Sequence, residues 1–188
     1  MSITRLARNI LPALMLSAAT LTASVAGAAD DAPARLYGHD LRRLHSDDMV
    51  RLSEHFTGQP VLVVNTASHC GFTRQFRELE AVHQRFKDRG LKVAGFPSDD
   101  FRQEAGDEAE TAEVCFKNFG VTFDMFAPIH VTGTEAHPLF REIARQSAAP
   151  DWNFHKYVID RNGRVIARFG SRTKPDAPEV IAAIEKAL

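Results

Sequence analysis

The stretch Pro60-Val61-Leu62-Val63-Val64-Asn65-Thr66-Ala67-Ser68-His69-Cys70-Gly71-Phe72-Thr73 decides how the rest of the chain is read. Its first eight residues are largely β-branched, which predicts a buried strand. Ser68 to Thr73 is too polar for a core and predicts a loop. Beyond it Phe76, Leu79, Val82 and Phe86 recur at helical spacing up to Arg89, with Gly90 as a C-terminal cap. Strand, loop and helix form one unit. The unit brings Cys70 to a helix N-terminus, where unpaired N–H groups and the helix dipole favour negative charge. The alternative is an inert thiol, because free cysteine is among the most buried residue types.

The remaining elements follow outward from this unit. Leu91 to Phe96 reads as a second buried strand, stopped by Pro97. Asp107 to Phe119 reads as a helix closed by Gly120, and Phe123 to Val131 as loop and short strand. Pro138 to Gln146 carries Leu139, Phe140 and Ile143 on one helical face, with proline in the first turn. Tyr157-Val158-Ile159 and Val165 to Phe169 flank Arg161-Asn162-Gly163, a hairpin signal. Pro178 to Leu188 is a closing helix. Residues 29–58 read as a polar lead-in arm with short strands. The order predicts an α/β mixed sheet with helices on both faces, in a single domain covering 29–188.

Residues 1–28 read as a secretory signal peptide and not as part of the fold. Arg5 and Arg8 form the positive start, Ile10 to Ala26 carries no charge, and Ala26-Gly27-Ala28 fits a small-x-small cleavage site. A transmembrane span wants about 20 strongly apolar residues, and Pro12, Ser17, Thr20, Thr22 and Ser24 interrupt this run. The expectation is export to a periplasmic or extracellular compartment, without stable membrane insertion. The whole chain has 188 residues, with 23 Lys plus Arg against 24 Asp plus Glu. That balance lacks the basic excess that nucleic acid or an anionic membrane would select. Two cysteines make neither a disulfide framework nor a four-cysteine zinc site. The eight histidines show neither i, i+4 helical pairs nor an H-E-x-x-H pattern, so no metal and no bound cofactor are expected.

With its surroundings, the Cys70 loop resembles the glutathione peroxidase family. Val64 to Thr73 is similar to the family's (apolar)-N-x-A-S-x-C-G-x-T motif. Gly95-Phe96-Pro97-Ser98-Asp99-Asp100-Phe101, followed by Gln103-Glu104, is similar to F-P-C-N-Q-F and the nearby Q-E. Trp152-Asn153-Phe154 with Lys156 and Asp160 is similar to W-N-F-x-K-x-x-x-D, and Ala136-His137-Pro138-Leu139-Phe140 to A-H-P-L-(aromatic). The likeness runs from about residue 36 to 188. It implies a thioredoxin-like fold and a peroxidase that reduces hydrogen peroxide and organic hydroperoxides through a sulfenic acid. It also implies a thiol co-substrate, either glutathione or a thioredoxin-type reductant. The family's peroxidatic position falls on Cys70, and its Gln, Trp and Asn partners fall on Gln103, Trp152 and Asn153. Indole and amide N–H groups are neutral donors, which favour a charged sulfur without adding a fixed cation. Read without the family, the alternatives are a core aromatic for Trp152, a turn residue for Asn153 and a solvated loop side chain for Gln103.

Two departures leave alternatives open. Cys-Asn-Gln of the second motif is Ser98-Asp99-Asp100 here, and only Arg102 separates Phe101 from Gln103, one residue fewer than usual. Either the loop absorbs the deletion and delivers Gln103, or Asp100 approaches the sulfur and raises its pKa. Cys115 lies in the region where thioredoxin-using members carry a resolving cysteine, yet its helical pattern with Val114 and Phe119 fits a buried structural thiol. The short segment from His137 to Trp152 lacks the insertion of tetrameric members and predicts a monomer or small homo-oligomer. The rival readings are a non-catalytic thioredoxin-like binding or chaperone module and a thiol-disulfide oxidoreductase. The latter lacks a C-x-x-C motif at Cys70.

Overall fold

The computed structural model describes Met1 and residues 32–188; the expected signal peptide, beyond Met1, and its cleavage site lie outside the described residues. In chain order the elements are α1 (Ala32–Tyr37), β1 (Asp40–Arg42), β2 (Met49–Arg51), α2 (Leu52–Phe56), β3 (Val61–Thr66), α3 (Phe76–Phe86), β4 (Lys92–Pro97), α4 (Glu108–Ala112), β5 (Asp124–Met125), α5 (Pro138–Gln146), β6 (Lys156–Ile159), β7 (Val165–Phe169) and α6 (Pro178–Ala187). Five strands make one mixed sheet in the order β5-β4-β3-β6-β7. At its centre, β3 runs parallel to β4 and antiparallel to β6.

Burial on both faces explains the unbroken apolar run of β3. Successive side chains of a strand point to opposite faces. Leu62 and Val64 join Phe76, Leu79, Val82 and Phe86 of α3 and Val180 and Ile184 of α6. Val61 and Val63 face the other way, toward Leu36 of α1, Phe56 of α2 and Phe140 and Ile143 of α5. The hairpin between β6 and β7 turns where expected. Asp160 Oδ1 accepts from the N–H groups of Asn162 and Arg164, both at 2.9 Å. Gly163 has φ 73°, and a Cβ there would sit 2.9 Å from the Pro33 nitrogen, so only glycine suits the turn.

Three sequence expectations are corrected. The lead-in arm holds α1 and α2 as well as the short antiparallel pair β1–β2. These helices span six and five residues, too few for a 3.6-residue period to show. α3 starts at Phe76 as its periodicity predicts, but a 3-10 turn at Thr73–Gln75 separates it from Cys70, which therefore does not stand at that helix's N-terminus. The helix expected over Asp107 to Phe119 is divided into α4 and a π-helical segment, Glu113–Asn118. The wider turn keeps Cys115 buried on the side of Thr111 and Ala112. It also lets the Cys115 carbonyl accept from Val121 N–H, at 3.1 Å, across Gly120 at φ 66°.

Packing of α1 on α5 has a titratable lock. The Glu142 carboxylate accepts from Arg145 Nε at 2.7 Å and Nη2 at 2.6 Å and from Gln146 Nε2 at 3.0 Å, and lies 3.3 Å from Arg35 Nε. The hydrogen bonds from Arg145 lead in holding this carboxyl at about 2. Its folded pKa is depressed, so its contribution is fully present above the unfolded value. That contribution is lost as pH falls from there through about 2. Glu142→Gln should therefore lower stability at pH 7 by about 1–3 kcal/mol. The gap to wild type should close toward pH 2, as followed by urea melts. An equal gap at both pH values would contradict this.

Candidate active site

Asn65 is the polar residue that interrupts the aliphatic run of β3, and it is fully buried. Its Nδ2 donates to the Trp152 carbonyl at 3.0 Å, and its Oδ1 accepts from His155 N–H at 3.0 Å. Its own carbonyl accepts from Phe154 N–H at 2.7 Å. One amide thus holds the 152–155 segment against the end of β3. Phe154 sits at φ 60°, a left-handed conformation that costs a non-glycine residue ~1–2 kcal/mol and persists because these bonds over-determine it.

Cys70 follows β3 in a turn closed by Thr73, whose N–H donates to the Cys70 carbonyl at 3.0 Å. The Thr73 hydroxyl accepts from Cys70 N–H at 3.1 Å and lies 2.7 Å from the Cys70 carbonyl. Phe72 N–H points at Cys70 Sγ from 3.5 Å. The sulfur is therefore met by a turn N–H ahead of the 3-10 segment, not by the first turn of α3. Cys70 is 7% exposed and unbonded to Cys115.

In the shortened loop Gln103 bonds both the Cys70 loop and Asn153. Arg102 N–H bonds the Asp99 carbonyl at 2.8 Å, and Arg102 adopts φ 56°, so a tight turn takes up the missing residue. The Gln103 carbonyl then accepts from His69 N–H at 2.9 Å, and its Oε1 accepts from Asn153 Nδ2 at 3.2 Å. Asp100 is engaged elsewhere. Its carboxylate meets His130 Nδ1 at 2.6 Å and the N–H groups of Val131 and Thr132 at 2.7 and 2.9 Å. Burial alone would raise its pKa, but these three bonds outweigh it and hold the carboxyl below the usual range. Trp152 is 40% exposed, with its ring 5.5 Å from that of Phe101. Beside it opens a cavity of about 470 Å³ lined by Phe72, Trp152, His155, Arg168, Arg172 and Thr173.

Cys70, Gln103 and Asn153 are thus linked through the His69–Gln103 and Gln103–Asn153 bonds, and Trp152 shares a cavity wall with Phe72. Cys115 stands apart, 1% exposed in the core, and burial pushes its thiol up to about 12, with the Glu104 charge adding to the effect. Glu104 is a residue that spacing alone did not single out for a role. Ser68 Oγ donates to its Oε1, which also accepts from Ala105 N–H and Thr111 Oγ1, both at 2.8 Å. It joins the Cys70 loop to α4. Arg42 grips Glu108 in the first turn of α4 from outside, at 2.9 and 2.6 Å. Among the described residues no group of three or more His, Cys, Asp or Glu could hold a metal ion, and no helix is long and apolar enough to cross a membrane.

A mixed sheet flanked by helices, with a cysteine in the loop after the central strand and the bonded Gln103–Asn153 amide pair tied to that loop through His69, defines a thioredoxin-like thiol protein. Comparison with known proteins narrows that class. A family model described as glutathione peroxidase matches residues 37–144, a span that includes Cys70, Gln103 and Cys115 but ends before Trp152. The glutathione peroxidase of Lactococcus lactis subsp. cremoris is 47% identical over 130 residues, covering 66% of this chain and 83% of the relative. The hydroperoxy fatty acid reductase gpx1 of Synechocystis sp. is 45% identical over 145 residues, covering 71% and 85%. The crystal structure of Trgpx in apo form superposes with a TM-score of 0.61 at 34% identity, covering 80% of this chain and 95% of that one. The chain belongs to the glutathione peroxidase family. It has that family's thioredoxin-like fold and is a thiol-dependent peroxidase.

Proposed function

We propose that Cys70 is the peroxidatic residue and that Gln103, Trp152 and Asn153 are its hydrogen-bonding partners. The observation that carries this reading is the Gln103–Asn153 bond at 3.2 Å, fastened to the Cys70 loop through His69. The Cys70 thiolate attacks one peroxide oxygen, and the S–O bond forms as the O–O bond breaks. Sulfur gives up two electrons and the peroxide takes them. The departing oxygen gains a proton and leaves as water or an alcohol. Amide and indole N–H groups hold the charge that develops on that oxygen. Hydrogen peroxide and organic hydroperoxides both satisfy this chemistry, and the open cavity beside Trp152 accommodates an organic tail. A non-catalytic module would have no use for an intact thiol in a loop tied through His69 to a bonded pair of amides.

The sulfenic acid is then captured by Cys115. The Cys115 sulfur attacks Cys70 Sγ, the S–S bond forms, and the oxygen leaves as water. Glutathione or a thioredoxin-type dithiol reduces the disulfide. The buried thiol must first leave the core, and two features ease its exit. α4 is five residues long, too short to be stable by itself, and the π-helical turn that follows is a rare form that interrupts the α-helical ladder. One equivalent of hydrogen peroxide added to reduced protein should be consumed stoichiometrically, and peptide mapping should find a Cys70–Cys115 disulfide. A persistent Cys70 sulfenic acid, with Cys115 alkylatable after denaturation, would leave only direct attack by an external thiol. The enzyme acts after export, in the periplasm or outside the cell, as a monomer or small homo-oligomer. Residues 1–28 support export, and a native N-terminus near Ala29 is the expected mass-spectrometric result; retained Met1 would refute it.

A further inference from the structure

One buried charge is unused by this chemistry. Lys156 lies on β6 with its side chain wholly buried. Its Nζ donates to Gln75 Oε1 at 2.8 Å and to the Thr173 carbonyl at 2.7 Å, and lies 3.5 Å from the Ser171 carbonyl. An ammonium has three donors and no acceptor, so three oxygens and no facing donor fit the charged form. Burial pushes the amine down to about 7, and the charge that opposes this is Glu78 on α3. A group this costly to bury is retained where an apolar side chain of the same length would strand the Gln75 amide oxygen and the Thr173 carbonyl.

What it fastens lies on two sides of Cys70. Gln75 N–H bonds the Phe72 carbonyl at 2.8 Å, and Phe72 N–H points at Cys70 Sγ. On the other side, Ser171 Oγ donates to the Asn153 carbonyl at 2.6 Å, and Asn153 Nδ2 reaches Gln103. The ring closes where Gln75 Nε2 donates to the Ser171 carbonyl at 2.6 Å. We propose that Lys156 is a positioning residue for the peroxide step, binding the 171–173 loop to the Cys70 turn so that Asn153 stays in register with Gln103 beside the sulfur. It touches neither peroxide nor thiol and acts through Ser171 and Gln75. The inference rests on Cys70, Gln103 and Asn153 having the roles proposed above.

The test separates the two halves of the cycle in stopped flow. Lys156→Met should slow oxidation of Cys70 by hydrogen peroxide about tenfold, the scale of a small misplacement in a reacting site. Reduction of the oxidised protein should stay within about twofold of wild type, since register around the departing peroxide oxygen no longer matters there. Ser171→Ala should slow the same step, and Lys156→Met combined with Ser171→Ala should be little slower than Lys156→Met alone. A Lys156 that served only general stability would slow both halves or neither and would combine additively with Ser171→Ala. Should Lys156→Met fail to fold, Ser171→Ala decides: an unchanged oxidation rate overturns the proposal. Peroxide reduction by a Cys70→Ser variant would instead refute the site reading itself, whatever Lys156 does.

Discussion

Cys70→Ser should lose peroxide reduction by at least about three orders of magnitude, because a serine hydroxyl without an adjacent base is a far weaker nucleophile than a thiolate. None of the bonds described around Cys70 supplies such a base. Thr73 is tied to the turn carbonyls, and the amides of Gln103 and Asn153 cannot accept a proton at neutral pH. The fold should survive, since serine is smaller than cysteine and its oxygen can accept from Phe72 N–H as the sulfur does. Thermal melting within a few degrees of wild type, with no peroxide consumed in a single-turnover assay, is the expected pair of results. Substantial remaining turnover would place the reacting group elsewhere.

Gln103→Ala is expected to slow the peroxide step by about one to two orders of magnitude, the scale of losing one donor to a developing oxyanion. Asn153→Ala should do similar damage. The double variant should lose less than the product of the two, because the amides share a bond and hold each other in place. Asp100→Ala should affect the rate much less and stability more. It strands the N–H groups of Val131 and Thr132, at a cost of about 1–3 kcal/mol for each that is left buried and unpaired. If Asp100→Ala slows peroxide reduction more than Gln103→Ala, the carboxylate and not the amide serves the sulfur.

Most of the sheet was legible because long apolar strands and a strongly periodic helix leave unambiguous patterns, as β3 and α3 do. The Cys70 loop stood out because polar residues and glycine end that apolar run abruptly. Other features leave no such trace. The answer to the missing residue before Gln103 lies in the left-handed backbone of Arg102, which no residue type announces, since arginine is not selected for positive φ. The π-helical turn, after which Val121 N–H bonds the Cys115 carbonyl, is marked by no residue type in the local sequence. The role of Asn65 is hidden because its partners lie about ninety residues further along the chain. Lys156 stands in a motif that does not show its environment, and only its three carbonyl partners reveal what its charge holds.

The clasp made by Asn65 also sets when the site comes into being. Its amide bonds Trp152 and His155, about ninety residues further along the chain, and no bond within the Cys70 loop substitutes for them. Closing so long a loop carries a large entropic cost, and contacts of high sequence separation form slowly. Until β6 has paired with β3, the 152–155 segment has nothing to hold Phe154 in its strained conformation, and Asn153 has no fixed approach to Gln103. During refolding, the β3–α3–β4 unit is local enough to form early with Cys70 already in its turn. Competence toward peroxide should return only with the later phase that docks β6, so a chain caught between the two phases would carry its thiol without the amide and indole partners proposed for it.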